Sequence, residues 1–385
     1  MSGSGNAVLM NRYPAIADLR RRAQQRIPWF AWEYLDSGTG ADQCLRRNEA
    51  ALAAVTLEPR FMKGVFQPQL ATDLFGVHYA VPFGVSPVGL TGLMWPHAER
   101  ILARTAATYR LPYTLSTAAT ESPETIGPLT DGMGWFQLYP PRDAEIRRDL
   151  LVRARDTGFT TLLVTADVPV GSRRERQVRA GVSVPPRITP LMLWRCLMRP
   201  SWSWATLVAG SPRFRGLEKY LDGRDMRDML DFIGQGLGGS LDWEYLQAVR
   251  QQWDGPLVLK GVLSADEAAH AVAIGCDGIM VSNHGGRQFD GAPAAITALP
   301  GIVDAVGERT KILFDSGVRS GLDIARALAL GADFVLLGRA FMYGVAALGG
   351  RGGDHVAQIL TADLANNMTQ LGCATLSELA ARRPG

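Results

Sequence analysis

Eight short apolar runs, separated by stretches with helical spacing, constrain this chain more than any other feature. They are Pro82–Pro87, Pro112–Ser116, Gly134–Leu138, Thr161–Ala166, Pro256–Lys260, Gly278–Ser282, Lys311–Asp315 and Asp333–Gly338. The stretches between them, such as Ser264–Ile274 and Leu322–Leu330, are rich in Ala and Leu. Alternating β and α elements imply a parallel sheet. Eight repeats predict an α/β fold closed into a (β/α)8 TIM barrel. An open, doubly wound sheet is the alternative, and eight strands make it the weaker one. At 385 residues the chain is long enough for one such barrel. It reads as a single domain over 1–385, with a helical cap over 1–80, the barrel over 81–349 and helices over 350–385. Within the cap, Ala15–Arg26 predicts a basic amphipathic helix, and Trp29–Leu35 begins another that stops near Ser37-Gly38.

One interval breaks the rhythm. The runs start 22 to 33 residues apart, but the fourth and fifth start 95 apart. An insertion over 171–241 therefore follows strand four. From Arg176 through Leu217 it contains no Asp or Glu. It does contain Arg176, Arg179, Arg187, Arg195, Arg199, Arg213 and Arg215, interleaved with Trp194, Trp202, Trp204 and Leu191-Met192-Leu193. Arginine with tryptophan on a segment too polar to span a bilayer suits an interfacial anchor on anionic lipid. A lid over the active site or a subunit contact is the other reading.

In barrels of this kind the chemistry sits at the C-terminal ends of the strands. Reading those ends in order gives Ser116; Gln137 and Tyr139; Thr165 and Asp167; Lys260; His284 and Arg287; Asp315, Gly317 and Arg319; Gly338 and Arg339. The densest group is Ser282-Asn283-His284-Gly285-Gly286-Arg287-Gln288. His284 is suited to take a proton near neutral pH, and Arg287 can grip a carboxylate with two parallel hydrogen bonds. The two glycines let backbone approach a flat ligand. An acid that is bound and deprotonated is the expected substrate. Asp167 would stabilise a protonated His284, with capping of the next helix as its bland alternative. Lys260 ends an apolar strand and would point into the barrel mouth, where a cation can stabilise negative charge on a reduced ring. Glycines and arginines after strands seven and eight are what a phosphate site requires. Arg174 is a second candidate carboxylate ligand, and otherwise part of a solvated pair with Arg173. Tyr34 and Tyr139 read equally well as packing aromatics. His78, His97, His270 and His355 read as structural or exposed.

Together these motifs resemble the FMN-dependent α-hydroxy acid oxidases and dehydrogenases, over about Tyr13 to Leu379. The likeness rests on Ser282–Gln288, Trp135-Phe-Gln-Leu-Tyr139, Leu259-Lys-Gly261, Asp315-Ser-Gly-Val-Arg319 and Leu337-Gly-Arg339. The resemblance implies that His284 is the base and Asp167 its support. It implies that Arg287, Arg174 and the Tyr34 hydroxyl bind the substrate carboxylate, while Tyr139 contacts the hydroxyl. FMN would be held by Ser86, Pro87, Val88, Ser116, Gln137, Thr165, Lys260 and Ser282 around its ring. Its phosphate would lie on Asp315, Gly317, Arg319, Gly338 and Arg339. Two departures stand out. Ser86-Pro87-Val88-Gly89 replaces the Pro-Thr of many members. Ala118 replaces the bulky aromatic of glycolate-oxidising members, which leaves room for a large substituent.

The long basic insertion is similar to that of the membrane-associated mandelate and lactate dehydrogenases. The resemblance thus implies oxidation of an L-2-hydroxy acid, mandelate-like ahead of lactate, with electrons passed to a quinone or other respiratory acceptor. A soluble oxidase that makes hydrogen peroxide is the alternative. It also implies a homo-oligomer, tetrameric by analogy. Composition adds exclusions. A net charge of +3 gives no argument for nucleic acid. Four scattered cysteines predict reduced thiols and no metal site. No signal peptide and no run of about 20 apolar residues is visible, so a cytoplasmic protein peripheral on the inner face of the cell membrane is expected.

Overall fold

The computed structural model of the protein describes residues 3–181, 189–220 and 241–382. Arg187 and parts of the insertion lie outside those residues. Two three-residue strands come first, β1 (Thr72–Leu74) and β2 (Val77–Tyr79). Then follow β3 (Phe83–Val85), β4 (Tyr113–Ser116), β5 (Gly134–Leu138), β6 (Thr161–Thr165), β7 (Leu257–Val262), β8 (Gly278–Val281), β9 (Lys311–Phe314) and β10 (Phe334–Leu337). These eight fall on the eight predicted runs. They close into a barrel in the order β10-β3-β4-β5-β6-β7-β8-β9, every pairing parallel. Helices outside and side chains inside bury both faces of each strand, which is why the runs are continuously apolar.

The β1–β2 hairpin was not foreseen. It is antiparallel, with Thr72 opposite Tyr79, and it stops the N-terminal end of the barrel. Tyr79 meets Phe334 edge-on at 5.5 Å and accepts a 3.0 Å hydrogen bond from Trp135 Nε1. Phe75 from the turn packs on Trp135 at 6.1 Å and against the first residue of β8, where a side chain at Gly278 would strike it.

At the opposite end sits the cap. Helix Ile16–Arg26 buries Ile16, Leu19 and Ala23, and helix Trp29–Asp36 buries Phe30, Ala31, Trp32 and Leu35. A bidentate pair from Arg20 to buried Asp36, at 2.7 and 2.9 Å, locks the two together. Asp36 also accepts from the Tyr343 hydroxyl at 2.8 Å, which ties the cap to the helix after β10.

The described insertion contains helices Glu175–Arg179, Pro190–Leu197 and Pro200–Ala209. Its basic character is only partly a surface property. Arg176 is spent inside, at 2.6 Å from Glu33 and 2.7 Å from Asp42. Trp202 is buried edge-on against Phe30, with its indole N–H on the Leu93 carbonyl. The outer side is different. Leu191, Leu193, Trp194, Leu197, Met198, Trp204, Leu207 and Val208 are each more than half exposed. Among the described residues no helix is long and apolar enough to cross a membrane.

Candidate active site

A cavity of about 520 Å³ opens at the C-terminal end of the barrel, within the size range of small-molecule sites. At its centre is the turn after β8. His284, Gly285 and Gly286 all have positive φ (58°, 62° and 73°), a conformation a non-glycine residue adopts only when its surroundings hold it. Ser282 Oγ accepts the His284 N–H at 3.0 Å, and Ser316 Oγ accepts those of Asn283 and Gly285. The two glycines serve the turn and its neighbours. A side chain at Gly286 would meet the Leu45 backbone at 2.6 Å, and one at Gly285 would meet the Arg339 guanidinium at 2.7 Å.

The turn aims His284 between two partners. Nδ1 lies 2.9 Å from Asp167 Oδ1, and Nε2 lies 3.4 Å from the Tyr139 hydroxyl. The carboxylate at Nδ1 fixes the proton there and leaves the Nε2 lone pair facing the cavity. Burial lowers the pKa of His284, helped by the cations Lys260 and Arg174, against the opposing pull of Asp167. For Asp167, burial acts upward, but His284 and Lys260 outweigh it and hold the carboxyl below its usual range. The resting pair is therefore neutral imidazole beside carboxylate.

Asp167 reaches this position because of an irregularity in β7. The β7–β8 register shifts between Lys260 and Val262, and Gly261 between them has φ 102°. A Cβ there would sit 2.6 Å from both Cβ and Cγ of Asp167.

Lys260 is buried, donating to Ser282 Oγ at 2.9 Å and pairing with Asp315 at 3.3 Å. Burial works against its charge, but Asp315 and Asp167 outweigh it and raise its pKa, so it remains an ammonium. Asp315 also accepts from the Ser86 hydroxyl at 3.0 Å. A chain of side chains crosses three strands, from Ser116 to Gln137 at 2.7 Å and from Gln137 to Thr165 at 2.9 Å.

The two candidate carboxylate ligands come from different loops. Arg287 donates to the carbonyls of Tyr34 and Ser37, and its guanidinium lies 5.1 Å from the centre of the Tyr34 ring. Arg174 donates to Ser172 and Gln288. Among the described residues, both guanidiniums bind only neutral partners. Burial and the proximity of Arg174 both lower the pKa of Arg287, a situation that a bound anion relieves. The Tyr34 hydroxyl donates to the Gly89 carbonyl at 3.2 Å.

After β9 and β10, Gly317, Arg319, Gly338 and Arg339 line the cavity next to the N-terminus of helix Arg339–Leu348. Arg339 also donates to the carbonyls of Leu35, Gly285 and Ser37, and so joins the cap to the turn after β8. Arg319 lies 3.5 Å from Glu49. This donor set fits FMN. Lys260, Gln137, Thr165 and Ser86 offer partners for a heteroaromatic ring, Asp315 can accept from a polyol chain, and two arginines with a helix N-terminus suit a phosphate.

Of the residues singled out in the sequence, Tyr34, Ser86, Pro87, Val88, Gln137, Tyr139, Thr165, Arg174, Lys260, His284, Arg287, Asp315, Gly317, Arg319, Gly338 and Arg339 line this one cavity. Ser116, Asp167 and Ser282 stand behind the wall, holding Gln137, His284 and Lys260 respectively. Sequence reading missed Met94, Arg142, Val168–Ser172, Phe214 and Ser316, which also line it. Arg142, three residues past Tyr139 at a strand end, and Ser316, inside the Asp315–Arg319 motif, carried a local signal. Phe214, within a basic run far from any barrel strand, carried none.

The chain is similar to known proteins over almost its whole length. The sequence pattern described as FMN-dependent dehydrogenase matches residues 23–383. An L-lactate dehydrogenase of Xanthomonas euvesicatoria pv. vesicatoria (strain 85-10) is 40% identical over 369 residues, 95% of each chain. One from Pseudomonas aeruginosa (strain LESB58) is 39% identical over 369 residues, 95% of this chain and 97% of that protein. Among solved structures, the monotopic membrane protein (S)-mandelate dehydrogenase superposes with a TM-score of 0.91 at 34% identity, over 95% of this chain and 97% of its own. A mandelate oxidase crystallised with 3,3-difluoro-2-hydroxy-3-phenylpropionic acid gives 0.81 at 33% identity, over 96% and 98%.

Proposed function

Because this chain belongs to the FMN-dependent dehydrogenase family, we propose that it oxidises an L-2-hydroxy acid to the 2-oxo acid at the membrane surface and passes the electrons to a quinone or other respiratory acceptor. One observation carries the choice of substrate. Two guanidiniums, Arg174 and Arg287, face the cavity beside a neutral histidine, with only neutral partners among the described residues. Partly buried cations so placed favour an anionic ligand.

FMN, when bound, supplies the two-electron acceptor for the carbon that bears the hydroxyl. The protein's residues do the rest. Arg174 and Arg287 hold the acid's carboxylate, with Tyr34 beside Arg287. This anchors the hydroxyl-bearing carbon near His284 and Tyr139. His284 Nε2 takes the proton released on oxidation, and the Asp167 carboxylate at Nδ1 stabilises the resulting imidazolium. Tyr139 meets the substrate oxygen. Lys260 keeps a permanent positive charge at the cavity wall, available to any negative charge that develops there.

The test is anaerobic bleaching of the purified protein's flavin absorbance. A panel of L-2-hydroxy acids that includes (S)-mandelate and L-lactate is expected to bleach it; if no member does, the substrate class is wrong. Mandelate-like acids are proposed ahead of lactate.

Membrane placement rests on the insertion's exposed Trp and Leu side chains and on its likeness to a monotopic neighbour. Attachment to the inner face of the cell membrane, as a homo-tetramer, belongs to the same proposal. Replacing Trp194, Leu197, Trp204 and Leu207 together by Ser removes four insertable side chains. At about 1.5 kcal/mol or more each, partitioning onto anionic vesicles should fall by well over 100-fold, with anaerobic bleaching unchanged. Sedimentation of the fourfold variant with vesicles as before would refute the anchor.

A further inference from the structure

The insertion leaves the barrel through Val168–Ser172, so those residues appear at the cavity mouth simply by continuity with β6. Its returning limb has no such reason to be there. Phe214 nonetheless lines the cavity, and it is only 5% exposed.

Several contacts hold it in place. The next residue, Arg215, lies 3.4 Å from Oε2 of Glu121. Glu121 is buried and also binds Arg100 through two hydrogen bonds, at 2.7 and 3.1 Å, and His97 at 3.2 Å. Arg153 donates to the Gly216 carbonyl, and Leu217 is fully buried. Residues 214–217 are thus fastened both to the loop after β4, which also carries Ala118, and to the helix Ala144–Asp156 after β5.

We propose that Phe214 is a specificity-determining residue that sets the size of the acid's substituent; the inference rests on the hydroxy-acid reading above. The carboxylate is accounted for by Arg174 and Arg287, and the hydroxyl by His284 and Tyr139. Only the substituent remains to meet the apolar side chains that line the cavity, Met94, Ala118, Val168 and Phe214 among them. Ala118 is small, but the insertion returns an aromatic ring to the same cavity. Substituent size is therefore decided jointly by the barrel loop and by a residue nearly a hundred positions downstream. The space left by Ala118 is to be reckoned together with Phe214.

Phe214→Ala and Phe214→Trp provide the test, read as kcat/KM with an artificial dye for L-lactate, (S)-mandelate and a ring-substituted mandelate. Hydrophobic pockets discriminate by about 10–200-fold for small changes in fit. Phe214→Ala should raise the ratio of ring-substituted mandelate to L-lactate by at least about 10-fold. Phe214→Trp should lower it, and bound flavin should stay at the parent level in both. Equal scaling of all three acids in both variants would mean that Phe214 only supports the fold, and would overturn the proposal. If the parent protein is bleached by no hydroxy acid, the functional reading has failed; if it is bleached and the ratios stay flat, only the role of Phe214 has.

Discussion

Replacing His284 by Ala is expected to slow anaerobic flavin reduction by about 10²–10⁴-fold, the usual contribution of a positioned general base, while FMN remains bound. His284→Asn is the companion variant, because asparagine tolerates the left-handed backbone that His284 adopts at φ 58°. It removes the base and keeps the turn. If either variant is reduced at the parent rate, His284 is not the base. The pH profile gives an independent reading. The group must be neutral to accept a proton, so kcat/KM falls as pH drops through its pKa. Burial, Lys260 and Arg174 depress that pKa, so the acid limb should lie below the ordinary histidine value of about 6.5. Asp167→Asn removes the carboxylate that favours the charged ring. The plateau should then fall, with the limb displaced to still lower pH.

Arg287→Lys should weaken binding of the acid by roughly 10- to 100-fold, the loss of about 1.5–3 kcal/mol expected for a hydrogen bond to a charged partner. The charge survives this change, but the fork does not. An ammonium cannot donate two parallel bonds to a carboxylate while also holding the Tyr34 and Ser37 carbonyls and stacking on the Tyr34 ring. The measurement is the acid concentration that half-bleaches the flavin under anaerobic conditions. Bleaching at saturation should persist, since His284 and Asp167 are untouched. An unchanged half-saturation concentration would remove Arg287 from the carboxylate site.

Some of this was legible in the chain and some was not, for physical reasons. Strands β3–β10 announced themselves because a parallel barrel buries both strand faces and so demands unbroken apolar runs. The hairpin β1–β2 did not. Its strands are three residues long with only the last residue of each buried, and it is held by Phe75 and Tyr79 packing on aromatics far away in sequence. His284, Arg287 and Lys260 were legible because a polar residue at the end of an apolar strand has one natural place to point. Arg176 misled as a member of a basic run. Its partners Glu33, Asp36 and Asp42 lie some 140 positions earlier, and nothing local records them. Gly285 and Gly286 were seen as necessary, but their neighbours Arg339 and Leu45 were not. Phe214 was invisible because its place depends on Glu121, a residue of another loop.

The bulge at Gly261 has a consequence for how this sequence can change over time. Its backbone conformation already disfavours any other residue, and the space its side chain would need is occupied by Asp167. A lineage that keeps the carboxylate for its proton chemistry therefore has no neighbouring sequence to explore at position 261. Any side chain at 261 would both strain the backbone and push on Asp167, two residues beyond β6, so a change in β7 is expected to be felt at the carboxylate.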